Sequence, residues 1–415
     1  MMTVSQIILS VSLFISLFFE IFVLITFFET KEELKREEEF LKKKIEHYPS
    51  VTIIVPGFNE GETVTATVKS LLSLDYPKEK LYLMLVDDGS TDNTFEVMNR
   101  FKNHPQIQIF RKENGGKHSA LNFALEKIDT DLVGCLDADS FVSTNALKLM
   151  VPLFLDKATM AVTPSIKVQE ETNILQKIQK IEYNWGIFFR RMLSSMGAMY
   201  VTPGPFSIFR TKVFRDLGGY RHAHHTEDME MALRMQKNHY KIVNSVNAHV
   251  YTITPKKFKN LFKQRTRWTY GFLNNVIDYK EMFFNKKYGH IGFFILPIAS
   301  ISILSCLYAA GMLIWHLGQN FMDMINRFNA VGFSPKFPNF HLDWFFWSTS
   351  ITTFLVITAV AINIALLIMS AKMAKEKSLI GKPLLYYLAI YALIVPTWIA
   401  KATYSTLFSK EISWR

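Results

Sequence analysis

The sequence predicts an α/β domain, a mostly parallel sheet with helices on both faces, joined to an α-helical transmembrane bundle through interfacial amphipathic helices. Three observations predict it. Short apolar runs alternate with helical patterns between residues 50 and 136, long apolar stretches flank that region, and a basic, aromatic stretch joins the two. Of the 415 residues, 49% are hydrophobic and 20% charged. A water-facing domain fused to lipid-facing segments accounts for both figures.

Residues 4–28 are almost wholly apolar and long enough to span a bilayer. The first residues carry no basic cluster and no small-residue cleavage site follows, so an uncleaved anchor is expected. Glu20 inside it is expected to be protonated or to face the bundle or a polar conduit. Residues 29–49 form a charged helical linker. The C-terminal region 291–415 holds three more apolar runs, at 291–316, 344–370 and 384–408. Loop 371–383 carries Lys372, Lys375, Lys377 and Lys382, whereas loop 317–343 carries only Arg327 and Lys336 as its Lys and Arg residues. The positive-inside rule puts the first loop, and with it block 29–290, in the cytosol. Pro396 and Lys401 leave two courses for the last run, a full crossing or a re-entrant bend.

The block 50–252 opens on Val51-Thr-Ile-Ile-Val-Pro56, a buried-strand pattern. Helices are expected at 61–74, 92–103 and 118–128, and strands at 81–86, 107–110 and 132–136. Ligands of such sheets bind beyond the carboxyl ends of the strands, and the chemistry-bearing residues fall there. Asp87-Asp88-Gly89-Ser90 is either a common turn or a source of acceptors for a nucleotide. Asn114-Gly115-Gly116-Lys117 opens a helix whose free N–H groups and lysine suit a diphosphate, or else is a glycine loop with a solvated lysine. Asp137 and Asp139, one residue apart at a strand end, suit Mg2+ or Mn2+ held against a diphosphate; a solvated acidic turn is the alternative. Thr226-Glu227-Asp228 starts a helix. Thr226 can cap it, and Asp228, with its pKa raised by Glu227 and a bound diphosphate, can take a proton from a hydroxyl.

The region 253–290 is basic, with nine Lys or Arg against Asp278 and Glu281 from residue 255 onward. On a helix Gln264, Arg267 and Trp268 share a face, which suits either a leaving diphosphate and a stacked sugar or a helix lying on the membrane. Several classes are disfavoured. Two cysteines, Cys135 and Cys306, exclude a cysteine metal site, and His222, His224 and His225 lack ligands at metal spacing. There is no Walker or dinucleotide fingerprint, and no nucleic-acid motif accompanies the net charge of +11.

In this order, the motifs resemble the family 2 inverting glycosyltransferases of the processive membrane branch, which includes poly-N-acetylglucosamine, hyaluronan, chitin and cellulose synthases. The resemblance implies a GT-A type sheet and a UDP-sugar donor, with N-acetylglucosamine favoured. The acceptor would be a growing β-linked polysaccharide, and an accessory membrane subunit is a further candidate partner. Phe58, Asn59, Glu60 and Asp87 correspond to uridine-binding elements, and Lys117 to a lysine near the donor phosphates. Asp137 and Asp139 correspond to the aspartate-x-aspartate pair, Asp139 being the direct metal ligand. The segment Thr202 to Arg210, with Gly204, Pro205 and Phe206, corresponds to the acceptor loop, and Asp228, beside Glu227, to the base. Gln264, Arg265, Arg267 and Trp268 correspond to the Gln-x-x-Arg-Trp signature, and Ser413-Trp414-Arg415 faintly to a gating segment. Single transfer to a lipid acceptor is the alternative within enzymes. A catalytically silent nucleotide-binding subunit is disfavoured because Asp139, Asp228 and Trp268 are all present.

Overall fold

The computed structural model describes residues 4–41, 45, 47–332, 351–376 and 381–408. The expected gating segment 413–415, residues 333–350, and so the start of the run at 344, lie outside these. The elements in order are α1 (Val4–Leu41), β1 (Val51–Gly57), α2 (Val64–Leu72), β2 (Leu81–Asp87), α3 (Thr94–Asn99), β3 (Ile107–Arg111) and α4 (Lys117–Leu125). Then come β4 (Leu132–Cys135), β5 (Ser140–Val142), α5 (Ala146–Met150), β6 (Thr159–Val168), α6 (Ile174–Ser195), β7 (Ile208–Arg210) and α7 (Lys212–Leu217). The chain closes with α8 (Glu227–Lys237), β8 (Lys241–Thr252), α9 (Phe258–Asp278), α10 (Leu296–Val331), α11 (Ile351–Met373) and α12 (Lys382–Leu407).

The eight strands form one sheet in the order β3-β2-β1-β4-β7-β6-β8-β5. The half built from β1 to β4 is parallel, and the sheet becomes mixed beyond it because β7 runs antiparallel to β4 and β6. Alternate residues of β1 enter opposite cores: Ile53 and Val55 pack with α2 and α3, and Ile54 packs with α4 and α8. Each such fully buried side chain contributes about 1.5–3 kcal/mol of transfer free energy. Pro56 fits a central strand for a specific reason. Leu136 donates to the Ile54 carbonyl, so even-numbered residues of β1 face β4, and β4 has ended at Cys135 before Pro56 would need a partner.

Among the described residues four helical stretches are long and apolar enough to cross a membrane: Val4–Glu32, Ile291–Val331, Ile351–Met373 and Lys382–Leu407. Helix α1 continues without a break from the expected anchor into the charged linker. The run expected to end at 316 continues as helix to Val331. Helix α12 passes through Pro396 as one helix. Glu20 is buried, and the Asn363 amide of α11 donates to it at 2.5 Å. The turn after α11 rests on the sheet and on α6: Lys167 of β6 donates to the Ala374 carbonyl at 2.8 Å, Lys180 of α6 pairs with Glu376 at 3.1 Å, and Lys375 reaches Asn247 of β8 at 3.1 Å.

Candidate active site

Four carboxylates meet beyond the parallel strands. Asp137 and Asp139 follow β4 directly, and Glu227 and Asp228 begin α8, where the helix dipole favours negative charge. Lys117, the first residue of α4, lies between the two pairs, 2.5 Å from Asp137 Oδ1 and 3.2 Å from Glu227 Oε1. Burial works against its charge, but Asp137 and Glu227 outweigh burial and hold its pKa well above the ordinary value. Arg267 of α9 is the second cation. Burial pulls its pKa down, while Glu227, Asp228, Asp137 and Asp139 all act to raise it, so the four carboxylates lie within its electrostatic reach.

Burial and then the charge of Glu227 push the Asp228 carboxyl up to about 6, with Lys117, Arg267 and the Met229 N–H opposing. Asp139 is also pushed up to about 6, by burial and then by Asp137 and Glu60. A carboxylate crowded by like charge fits a divalent cation, for which two aspartate oxygens are suitable hard ligands. Among the described residues no group of three or more His, Cys, Asp or Glu could hold a metal.

Two glycines let neighbouring segments close in. A Cβ on Gly204 would lie 2.5 Å from Lys117 Nζ, so the 202–206 loop rests directly on the Lys117–Asp137 pair. A Cβ on Gly271 would lie 2.2 Å from Thr226 Oγ1, so α9 approaches the start of α8 at van der Waals range. Thr226 does not cap α8 as expected. Its hydroxyl donates to the Ala223 carbonyl at 3.1 Å and accepts from Asn275 at 2.8 Å. Ala223, His224 and His225 before it all have positive φ, and His224 lies 3.0 Å from Asp278.

Several expected contacts are placed otherwise. Asp87 is fully buried; it accepts the Ser90 N–H at 3.2 Å and pairs with Arg111 at 3.1 Å, so it braces the turn. The Gly115 and Gly116 N–H groups are not free for phosphate, because both donate to Asp88, at 3.1 and 2.8 Å. The Asn59 side chain accepts from the Thr91 N–H at 2.9 Å and shapes the same rim, while Phe58 is half-buried beside it. Glu60 lies at the Asp139 end of the cleft, near enough to raise that carboxyl. Phe206, expected at an acceptor sugar, is fully buried with φ 63°, its N–H donating to the Cys135 carbonyl at 2.6 Å. Its ring fills the core beneath the loop, leaving Gly204 and Pro205 at the surface of the cleft.

Arg265 also departs from expectation. Two residues before Arg267 it faces the far side of α9, where Glu182 of α6 accepts from it at 2.7 Å. Gln264 accepts from the same guanidinium at 2.7 Å, and Trp268 lies under it at 4.1 Å from the ring centroid. Tyr391 of α12 donates to the same Glu182 oxygen at 2.6 Å. Glu182 thereby ties a membrane-length helix to the Trp268 indole, which is the exposed aromatic of the signature. A cavity of about 520 Å³ behind α8 offers less chemistry, since its Glu230 is already paired with Arg234 at 2.7 Å and Arg221 at 3.3 Å.

Sequence reasoning did not reach α6, nor the role of Asp88 as acceptor for the Gly115 and Gly116 N–H groups. The signal for α6 is present: Ile174, Ile178, Ile181, Trp185, Phe188 and Met192 alternate by four and three, the period of an amphipathic helix. Asn173 caps it, accepting the Gln176 N–H at 2.9 Å.

A profile described as "Glycosyltransferase like family 2" matches residues 49–271, more than half of the chain and all of the carboxylate cluster. The chain belongs to glycosyltransferase family 2. It is 29% identical over 287 residues to the poly-beta-1,6-N-acetyl-D-glucosamine synthase of Staphylococcus epidermidis, covering 68% of this chain and 69% of that one. It is 30% identical over 267 residues to the synthase of the same name from Staphylococcus aureus strain COL, covering 64% of each. The mannosyltransferase PcManGT of Pyrobaculum calidifontis, solved with GDP-Man and Mn2+, shares the fold with a TM-score of 0.61 at 19% identity, over 97% of this chain and 99% of that one. The family 2 enzyme is thus a glycosyltransferase whose GT-A-like sheet is joined to membrane-length helices.

Proposed function

We propose that this enzyme is an inverting, processive polysaccharide synthase that transfers a sugar, N-acetylglucosamine, from a UDP-sugar to a growing β-linked chain. The observation that carries the reading is the meeting of Asp137, Asp139, Glu227 and Asp228 around Lys117 and Arg267. The names of the two synthases support the sugar and the polymer.

Asp139 and Asp137 would hold Mg2+ or Mn2+, which supplies neutralising charge to a diphosphate leaving group. Lys117 and Arg267 add fixed positive charge where the diphosphate charge develops. Phe58, Glu60 and the rim shaped by Asn59 and Asp87 bound the nucleoside end. Asp228, kept near neutrality in its pKa, accepts the proton of the acceptor hydroxyl, which attacks the anomeric carbon opposite the diphosphate. Inversion follows from that in-line geometry. Trp268, held by Arg265, offers its face to the acceptor sugar at the mouth of the cleft.

The lysine-bearing turn after α11 rests on the sheet, which supports a cytosolic catalytic domain in a multi-pass cell-membrane protein. Purified full-length protein in nanodiscs, given a panel of UDP-sugars with Mg2+ or Mn2+, should release UDP fastest from UDP-N-acetylglucosamine. Faster release from UDP-glucose or UDP-glucuronic acid would reassign the sugar.

A further inference from the structure

Three residues in a row ahead of the α8 carboxylates are left-handed. Ala223, His224 and His225 have φ of 42°, 53° and 64°, and none is glycine. The turn closes on itself, the His222 and Ala223 carbonyls accepting the N–H groups of His225 and Thr226 at 3.1 and 3.0 Å. Non-glycine residues visit this region singly, because Cβ crowds the carbonyl oxygen. A run of three is strained and persists only where its surroundings over-determine it. The chain then passes directly into Thr226, Glu227 and Asp228.

The surroundings are two helices. On α9, Arg267, Gly271, Asn275 and Asp278 follow at spacings of four, four and three, so they share one face. Arg267 acts on the carboxylate cluster, and Gly271 lets Thr226 close in. Asn275 donates to the Thr226 hydroxyl at 2.8 Å, and Asp278 Oδ2 lies 3.0 Å from His224 Nε2. On the other side the His222 ring meets His118 of α4 edge-on at 5.2 Å and His225 at 4.8 Å. The strap 222–226 thus runs between the helix that carries Lys117 and the helix that carries Arg267. Asp278 is the last residue of α9, where the helix dipole disfavours an acid, and the His224 imidazole offsets it. The two side chains are 33% and 56% exposed and line the cavity behind α8. A pair so open to water adds little to stability, and its effect is on where the strap sits.

We propose that the His224–Asp278 pair is a latch that fixes the left-handed strap and so sets the place of Asp228 in the carboxylate cluster. The proposal rests on the reading of Asp228 as the base. His224 and Asp278 are positioning residues, since both act through the strap.

The test measures transfer from UDP-N-acetylglucosamine by full-length His224→Ala, Asp278→Ala, the double variant and His224→Gln in nanodiscs. Each Ala variant should lower kcat about tenfold, the effect of a base shifted by a fraction of an ångström, with donor KM and UDP affinity within about twofold. The double variant should fall no further than the deeper single, because both remove one contact. His224→Gln keeps a donor within reach of Asp278 and should recover most of the rate. Thermal midpoints should stay within about 2 °C of the wild type. Unchanged kcat in the Ala variants, additive losses in the double variant, no recovery by Gln, or losses that track lowered midpoints would each overturn the latch. Where Asp228→Asn still abolishes transfer, those results fail the latch alone. Wild-type transfer by Asp228→Asn fails the base reading and the latch with it.

Discussion

Replacing Asp228 by Asn is expected to lower the rate of sugar transfer about a thousandfold while UDP binding stays within about twofold. The substitution keeps the shape and the Met229 N–H contact but removes the group that accepts the proton. Its charge matters less to the donor, because Lys117 pairs with Asp137 and Glu227 rather than with Asp228. The same carboxyl sets a pH limb. A base works ionised, and burial with Glu227 holds Asp228 up to about 6, so the rate should fall as pH drops through about 6 and level off above it. Titrating kcat at saturating metal and donor, with isothermal titration of UDP to the variant, checks both. Wild-type transfer by Asp228→Asn would remove Asp228 from the role of base.

Asp139→Asn should cost about a hundredfold or more in transfer, and the loss should appear with metal binding rather than with fold. Asp139 is crowded by Asp137 and Glu60 and accepts from the Ser140 hydroxyl at 3.2 Å. Neutralising it relieves that repulsion, so thermal stability without metal should hold or rise. Mn2+ bound in the presence of UDP, read by electron paramagnetic resonance, should weaken by at least about tenfold. Unaltered Mn2+ binding with lost activity would contradict its place as a ligand.

Much of this site was legible because strand chemistry is local. Uninterrupted apolar runs ended at Asp87 and before Asp137, and a sheet delivers such ends to one edge, so the acidic clusters could be placed without coordinates. Orientation was not legible. Arg265 and Arg267 are two residues apart on α9, and only the packing of α9 against α6 and α12 decides that the first meets Glu182 and the second faces the carboxylates. The Gly115 and Gly116 N–H groups read as free because their partner, Asp88, lies 27 and 28 residues earlier. Phe206 read as an acceptor contact because its positive φ, which turns the ring into the core, is a tertiary outcome at a non-glycine residue. Helix α6 carried a clear period, yet its role emerges only where Glu182 meets other elements.

On the proposed function, the cluster around Asp228 builds a polymer rather than adding a single sugar. Purified full-length protein in nanodiscs should be incubated with labelled UDP-N-acetylglucosamine and Mg2+, and the labelled product resolved by length on a gel. A ladder or smear that lengthens with time, and that Asp228→Asn abolishes, is the result predicted here. A single labelled band one sugar longer than its acceptor would contradict it.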